Sequence, residues 1–231
     1  MENWKSGSFY FVLKKNERSC YFLAMEARRN LSKGDATRSA ILNHAVSIAS
    51  QIGLSGISIG RLADDLRLSK SGVFAHFHSK EALQVHVLET AAERFVEEIV
   101  RPALSEARGE PRVRALFERW LRWARSQRTP GGCLFVAASV EFDDQPGPVR
   151  DKLVSLQRDW LSVMAKVVES GIAEKAFRAD LDAEQFAHDL YSIMLGYHHA
   201  SRLLKDARAE EHAHAAFDNL LAACRKTRNR D

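Results

Sequence analysis

With 231 residues, of which 45% are apolar and 28% charged, the chain can bury a substantial core, and this excludes an extended disordered polymer. The net charge of +4 is uneven: residues 26–80 hold eight Lys/Arg against four Asp/Glu and residues 81–231 hold 22 against 24, which suits a polyanionic partner near one end. Cys20, Cys133 and Cys224 are widely spaced with no CxxC pair, which excludes a disulfide framework and a structural zinc site and places the chain in a reducing cytoplasm, and no apolar run approaches the ~18 residues of a membrane span.

Residues 1–24 scatter Trp4, Phe9, Tyr10, Phe11, Tyr21 and Phe22 without a helical stripe, and GSFYFVL followed by Lys14 and Lys15 is a poor signal peptide. Met25 then opens a polar, basic arm. Either Met25 is the true start, or residues 1–34 are a flexible N-terminal extension. From about Asp35 to Gln51, Ile41, Leu42, Ala45, Ile48, Ala49 and Ile52 recur at spacings of three and four, so a one-faced helix is expected, with Gly53 just past its end.

The most informative stretch is SIGRLADDLRLSKSGVFAHFHSKEAL, residues 58–83. Ser58 is placed to cap a short helix that buries Ile59, Leu62, Ala63 and Leu66. After the turn Leu66-Arg67-Leu68, Ser69 caps a second short helix from Lys70 to about Phe77. Ser79 caps a third, running from Lys80 towards Arg108 with the stripe Leu83, Val87, Ala91, Phe95 and Ile99. Two short helices across a tight turn, the second small and basic, form a helix-turn-helix whose second helix is shaped to enter the DNA major groove.

Further helices are expected over Arg112–Ser126, Cys133–Phe142, Val149–Ser170, Asp182–Lys205 and Ala209–Lys226, broken by Thr129-Pro130-Gly131-Gly132 and by the proline-containing loop Asp143–Pro148. No segment alternates as a strand, so the fold class is all-α, about nine helices. The expected organisation is an extension over residues 1–34, a helix-turn-helix DNA-binding domain over 35–78 and a larger helical domain over 79–231. The tail KTRNRD reads as frayed.

In the reading helix, Lys70, Ser71, Gly72 and Val73 are small or basic. Ser71 can pair with a base edge or a phosphate, Gly72 removes bulk, Val73 can touch a thymine methyl and Lys70 can reach guanine or phosphate. Ser58, Ser69, His76 and Lys80 flank the groove at helix ends, where backbone N–H groups favour phosphates. The competing role of Ser58, Ser69 and Ser79 is helix capping alone, and His76 can equally be a packed histidine. One such helix reads few base pairs, so a two-fold homodimer on a palindromic double-stranded operator is expected. Phe186, Leu190, Ile193, Met194 and Tyr197, with Phe217, Leu220 and Leu221, are candidate interface stripes that can equally face only their own core, and Gly196 would let a partner backbone approach.

Residues 38–83 resemble the TetR/AcrR family of bacterial transcriptional regulators. The resemblance rests on Arg38, Ile41, Ala45 and Gly53, on Ser58, Ile59, Leu62 and Ala63, on Leu68-Ser69-Lys70, and on His76-Phe77 with Ser79-Lys80 and Leu83. The phrase GGCLFVAASVEFDDQPGPVRD is similar to one subgroup's effector domain. Two positions depart from the pattern: Phe74 stands where the family has a tyrosine that touches a phosphate, and Arg67 where it often has glycine. The resemblance implies a ligand-responsive regulator, a repressor by family habit, released from DNA by a small apolar or amphipathic effector. It also implies an effector pocket among the central helices, with Trp120, Phe135, Phe142, Trp160, Tyr191 and Tyr197 as candidate lining residues. The same aromatic stripes equally describe an ordinary core. The alternative function is a constitutive helix-turn-helix adaptor whose helical domain binds a protein. No catalytic residues, cofactor or metal are expected: His188, His198, His199, His212 and His214 give neither HExxH nor the paired ExxH motifs of di-iron bundles, and no phosphate loop is visible.

Overall fold

The computed structural model describes residues 32–126 and 128–225. The expectations for residues 1–31 and for the tail beyond 225 lie outside them. Among the described residues there are nine helices and no strand: α1 (Lys33–Ile52), α2 (Ile59–Leu66), α3 (Lys70–Phe77), α4 (Lys80–Phe95, continued by a π turn Val96–Val100 and the short turn Arg101–Leu104), α5 (Glu110–Ala124), α6 (Leu134–Phe142), α7 (Pro148–Ala173), α8 (Ala183–Arg202) and α9 (Ala209–Cys224).

Their ends follow local chemistry. Ser32 Oγ accepts from Asp35 N–H at the start of α1, Ser58 Oγ from Arg61 N–H at α2, Ser69 Oγ from Gly72 N–H at α3 and Asp182 from Glu184 and Gln185 at α8. The π turn has a cause in Pro102, which lacks an N–H for the carbonyl four residues back and crowds it. The chain widens just before it, and Arg101 N–H bonds Val96 O, five residues back. The expectation of one unbroken helix from Lys80 towards Arg108 is thus corrected, Pro102 being the residue that interrupts it.

The described residues form two compact units: 32–94 with 128–156, and 95–126 with 157–225. This partition departs from the expected break at residue 78, because the first half of α4, all of α6 and the start of α7 join the helix-turn-helix. In the first unit α2 packs on α3, and both pack on α1, which also meets α6. Ile41, Ala45, Leu62, Ala63, Val73 and Phe77 fill the space between them. Ile52, expected on the buried stripe of α1, is 39% exposed.

In the second unit α8 packs along α9 and on α5. The Phe117 and Phe217 rings stack at 4.1 Å, Trp120 meets Tyr197 edge-on at 6.2 Å, and Phe95 lies between Trp123 and Trp160 at 5.6 and 4.9 Å. At its surface Glu110 accepts from Arg114 and Arg225, and the hydrogen bond from the Arg225 guanidinium, more than that from Arg114, holds the Glu110 carboxyl below its usual range. No helix of the described residues is long and apolar enough to cross a membrane.

Candidate nucleic-acid interface

The helix-turn-helix is built by α2 and α3. At its corner Arg67 adopts the left-handed conformation (φ 54, ψ 41), Arg67 N–H bonds Asp64 O and Leu68 N–H bonds Ala63 O at 2.8 Å. This is the helix end that usually calls for glycine. Lys70 opens α3 directly after Ser69, so the angle between the two helices is set by three residues, Arg67, Leu68 and Ser69.

On α3 the side chains divide cleanly. Val73 and Phe77, four apart, are buried and anchor the helix, with the Arg38 guanidinium 5.4 Å above the Phe77 ring. Lys70, Ser71, Gly72, Phe74 and Ala75 are exposed. Ser69 and Ser71 hydroxyls lie 3.2 Å apart, and the Lys70 stem lies over Gly60 of α2, where an added Cβ would sit 3.6 Å from its Cε. Phe74 is half exposed and meets the His78 ring edge-on at 6.3 Å.

The expected contact of Val73 with a thymine methyl is therefore withdrawn: at 0% exposure its methyls belong to the core. The exposed face instead offers Phe74, whose ring can meet sugars or thymine methyls but cannot donate to a phosphate. Ser58 and Ser69 are exposed and also cap their helices, so both roles expected for them are compatible. His76 is half-buried beside Phe77, with ring centroids 6.1 Å apart. Lys80 is exposed, but its ammonium donates to Ser55 O at 2.7 Å. Among the described residues no group of three or more potential metal ligands occurs.

The effector candidates are divided between the two units. Phe135 and Phe142 belong to the first unit, where Phe142 lines a cleft of about 260 Å³ with Lys80, Gln84, Pro146 and Val149. Trp120, Trp160, Tyr191 and Tyr197 belong to the second. There Tyr191 donates to Gln157 Oε1 at 2.7 Å, while burial pushes the Tyr197 phenol up. Trp160 Nε1 and His198 Nε2 are buried without a hydrogen-bond partner. Burial, with Arg202 and His199 adding to it, holds the His198 imidazole below its usual pKa. Cys133 is buried as well, in keeping with an inert thiol.

The sequence reading missed Gln84 and Glu141. Gln84 is 4% exposed and donates to Leu54 O, and Glu141 accepts from the backbone of residues 54 and 55. Helical periodicity places Gln84 next to the core residue Leu83 but gives no hint of its partner, and no local pattern links Glu141 to a turn 86 residues away.

Residues 109–217 match the family profile described as the tetracyclin repressor-like, C-terminal domain. A TetR transcriptional regulator from Chloroflexus aurantiacus has the same fold with a TM-score of 0.74 and 25% identity, over 83% of this chain and 96% of that one. The chain belongs to the TetR family of transcriptional regulators. A family member from Cytophaga hutchinsonii shares the fold at a TM-score of 0.76 and 20% identity, over 87% of this chain and 100% of that one. AibR, solved with isovaleryl coenzyme A and operator DNA, does so at 0.61 and 17%, over 80% and 96%. No curated protein matches the chain. In this TetR-family chain the all-α architecture and the helix-turn-helix serve a DNA-binding transcriptional regulator.

Proposed function

We propose that the protein is a ligand-responsive repressor that binds a palindromic operator as a homodimer and is released by a small amphipathic effector. The observation that carries the DNA half is the division of α3: two buried anchors hold an otherwise exposed helix of Lys70, Ser71, Gly72, Phe74 and Ala75. Short side chains let the backbone approach base edges, and Lys70 with Ser58, Ser69, Arg67 and Lys80 supplies phosphate partners.

The dimer is supported by α8, where Leu195 is exposed and a Cβ at Gly196 would meet nothing within 4 Å. Leu203 and Leu204 follow at 71% and 62% exposure. Covering these side chains with a partner copy would remove apolar surface from water, which favours association.

The effector half is supported by the orphaned Trp160 indole N–H and His198 Nε2, since a buried polar atom without a partner is costly. A ligand with an apolar body and a hydrogen-bonding group would offset that cost in an aromatic surrounding. AibR, with its acyl coenzyme A and operator in one complex, is a family precedent for both halves.

The test is operator selection from random duplexes with the full chain, followed by a metabolite screen for release. A two-fold-symmetric consensus with half-sites about one helical turn apart is expected. An asymmetric or absent consensus would refute the dimeric reading, and release by no metabolite would favour the constitutive adaptor.

A further inference from the structure

The turn between α1 and α2 is held by side chains from elsewhere in the first unit. Glu141 of α6 accepts from Leu54 N–H through Oε1 (2.9 Å) and from Ser55 N–H through Oε2 (2.7 Å). On the carbonyl side, Gln84 of α4 donates to Leu54 O at 3.0 Å and Lys80 to Ser55 O at 2.7 Å. All four backbone polar groups of these two residues are thus satisfied by three side chains from two other helices. The site is shaped for this carboxylate. Gly53 has φ +83, and a Cβ there would lie 2.6 Å from Glu141 Oε1. The segment carrying Glu141 is keyed to α1 a second time: a Cβ at Gly131 would fall 1.4 Å from Ser50 O, and Gly131 N–H donates to Ser50 Oγ. Lys152 of α7 also pairs with Glu89 of α4 at 2.8 Å.

We infer that Glu141 is a positioning residue for DNA binding, fixing the α1–α2 turn and through it the attitude of the helix-turn-helix. The inference rests on the DNA-binding reading of α3. Only three residues separate Ser55 from the first residue of α2, and α2 leads into α3 through the three-residue corner that begins at Arg67. A displacement of the turn therefore reaches α3 with little slack. Glu141 lies within the part of the chain matched by the C-terminal domain profile, so a residue of that part holds the turn ahead of the DNA-reading head by its backbone. A carboxylate accepting two N–H groups makes charge-assisted bonds. An amide in its place presents an N–H₂ to one of the two donors.

Two effects separate positioning from other roles. A mutation that only lowers stability leaves nearly all molecules folded well below the unfolding midpoint, so affinity there does not change. A mutation that only removes negative charge strengthens binding to a polyanion. Loss of positioning does the opposite, because apparent affinity falls with the fraction of heads in the competent arrangement.

The experiment measures full-length wild type, Glu141→Gln and Asp144→Asn on the selected operator, about 20 °C below each unfolding midpoint and over a range of salt. Amide exchange is followed at Leu54 and Ser55. Glu141→Gln is expected to weaken operator binding about tenfold, the effect of one lost charge-assisted bond. The slope of log Kd against log salt stays unchanged and exchange at both amides quickens. Asp144→Asn, a charge control in the exposed turn that follows α6, binds as tightly or tighter. Wild-type or tighter binding by Glu141→Gln overturns the inference, as does a weakening matched by Asp144→Asn. If Glu141→Gln does not fold, Glu141→Asp carries the same comparison, since it keeps the charge and withdraws the carboxylate by one methylene. Failure of the wild type to bind any duplex would instead overturn the DNA-binding reading, and amide exchange would still report whether the turn is held.

Discussion

Arg67→Gly separates the stability of the helix-turn-helix corner from its use. Arg67 sits at φ 54 and ψ 41, at the end of α2, with its backbone N–H satisfied by Ala63 O and Asp64 O. The conformation is imposed by the corner, and for a residue with a Cβ it costs about 1–2 kcal/mol. Glycine removes that strain but brings extra freedom in the unfolded chain, which offsets about 0.5–1 kcal/mol. The net expectation is a gain of about 0.5–1 kcal/mol, or roughly 2 °C in Tm for a chain of this size. The same change deletes an exposed cation from the turn that precedes α3. If Arg67 neutralises one phosphate, the slope of log K against log salt becomes shallower by about 0.9. Differential scanning calorimetry reads the first effect, and fluorescence anisotropy with a labelled operator between 50 and 200 mM salt, about the range over which phosphate contacts dominate, reads the second. A lowered Tm would refute the strain argument. A raised Tm with an unchanged salt slope would place Arg67 away from the phosphates and leave its retention in a glycine position without a reason in DNA binding.

Lys70→Ala should weaken operator binding and lower the salt slope by about 0.9 without moving Tm, and a fall in Tm would show that the lysine stem over Gly60 is structural. Val73→Ala should do the reverse. Removing two buried methyl groups costs about 1.5–2.5 kcal/mol, while operator selection with the variant should return the wild-type base preferences, and a changed preference would restore Val73 to the interface. His198 gives a pH dependence of known sign. Its folded pKa lies below the unfolded value, so the unfolded chain binds more protons between the two, and stability rises with pH through that window. The contribution is complete above about pH 6.5, the ordinary value for histidine, and is lost as pH falls through the depressed folded pKa. Urea titrations at pH 7 and pH 5 should show the loss in wild type and a smaller one in His198→Gln. Equal losses would assign the effect to other groups.

What the sequence disclosed was what is local. Ser58, Ser69 and Ser79 announce helix starts three residues ahead of the amides they cap, and all three caps form. Val73 was misread although the information was present: it stands four residues before Phe77 on the same helical face, and a helix of eight residues needs two anchors to stay on its domain. Basic and small composition suggested a helix that exposes everything, but no helix can be held out by contacts it does not make. Glu141 is different in kind. Its partners lie 86 and 87 residues away and are backbone N–H groups, which carry no residue identity for a pattern to register. The sequence marks only the space left for it, as glycine at 53. The split of the aromatic candidates between two units has the same origin, since periodicity places Phe142 and Trp160 on helical faces without saying which body each face joins. The readable part of a regulator of this kind is therefore its reading head, built from short-range caps and anchors. The part that governs the head is written in long-range contacts to backbone, and Glu141 is where the two meet in this chain.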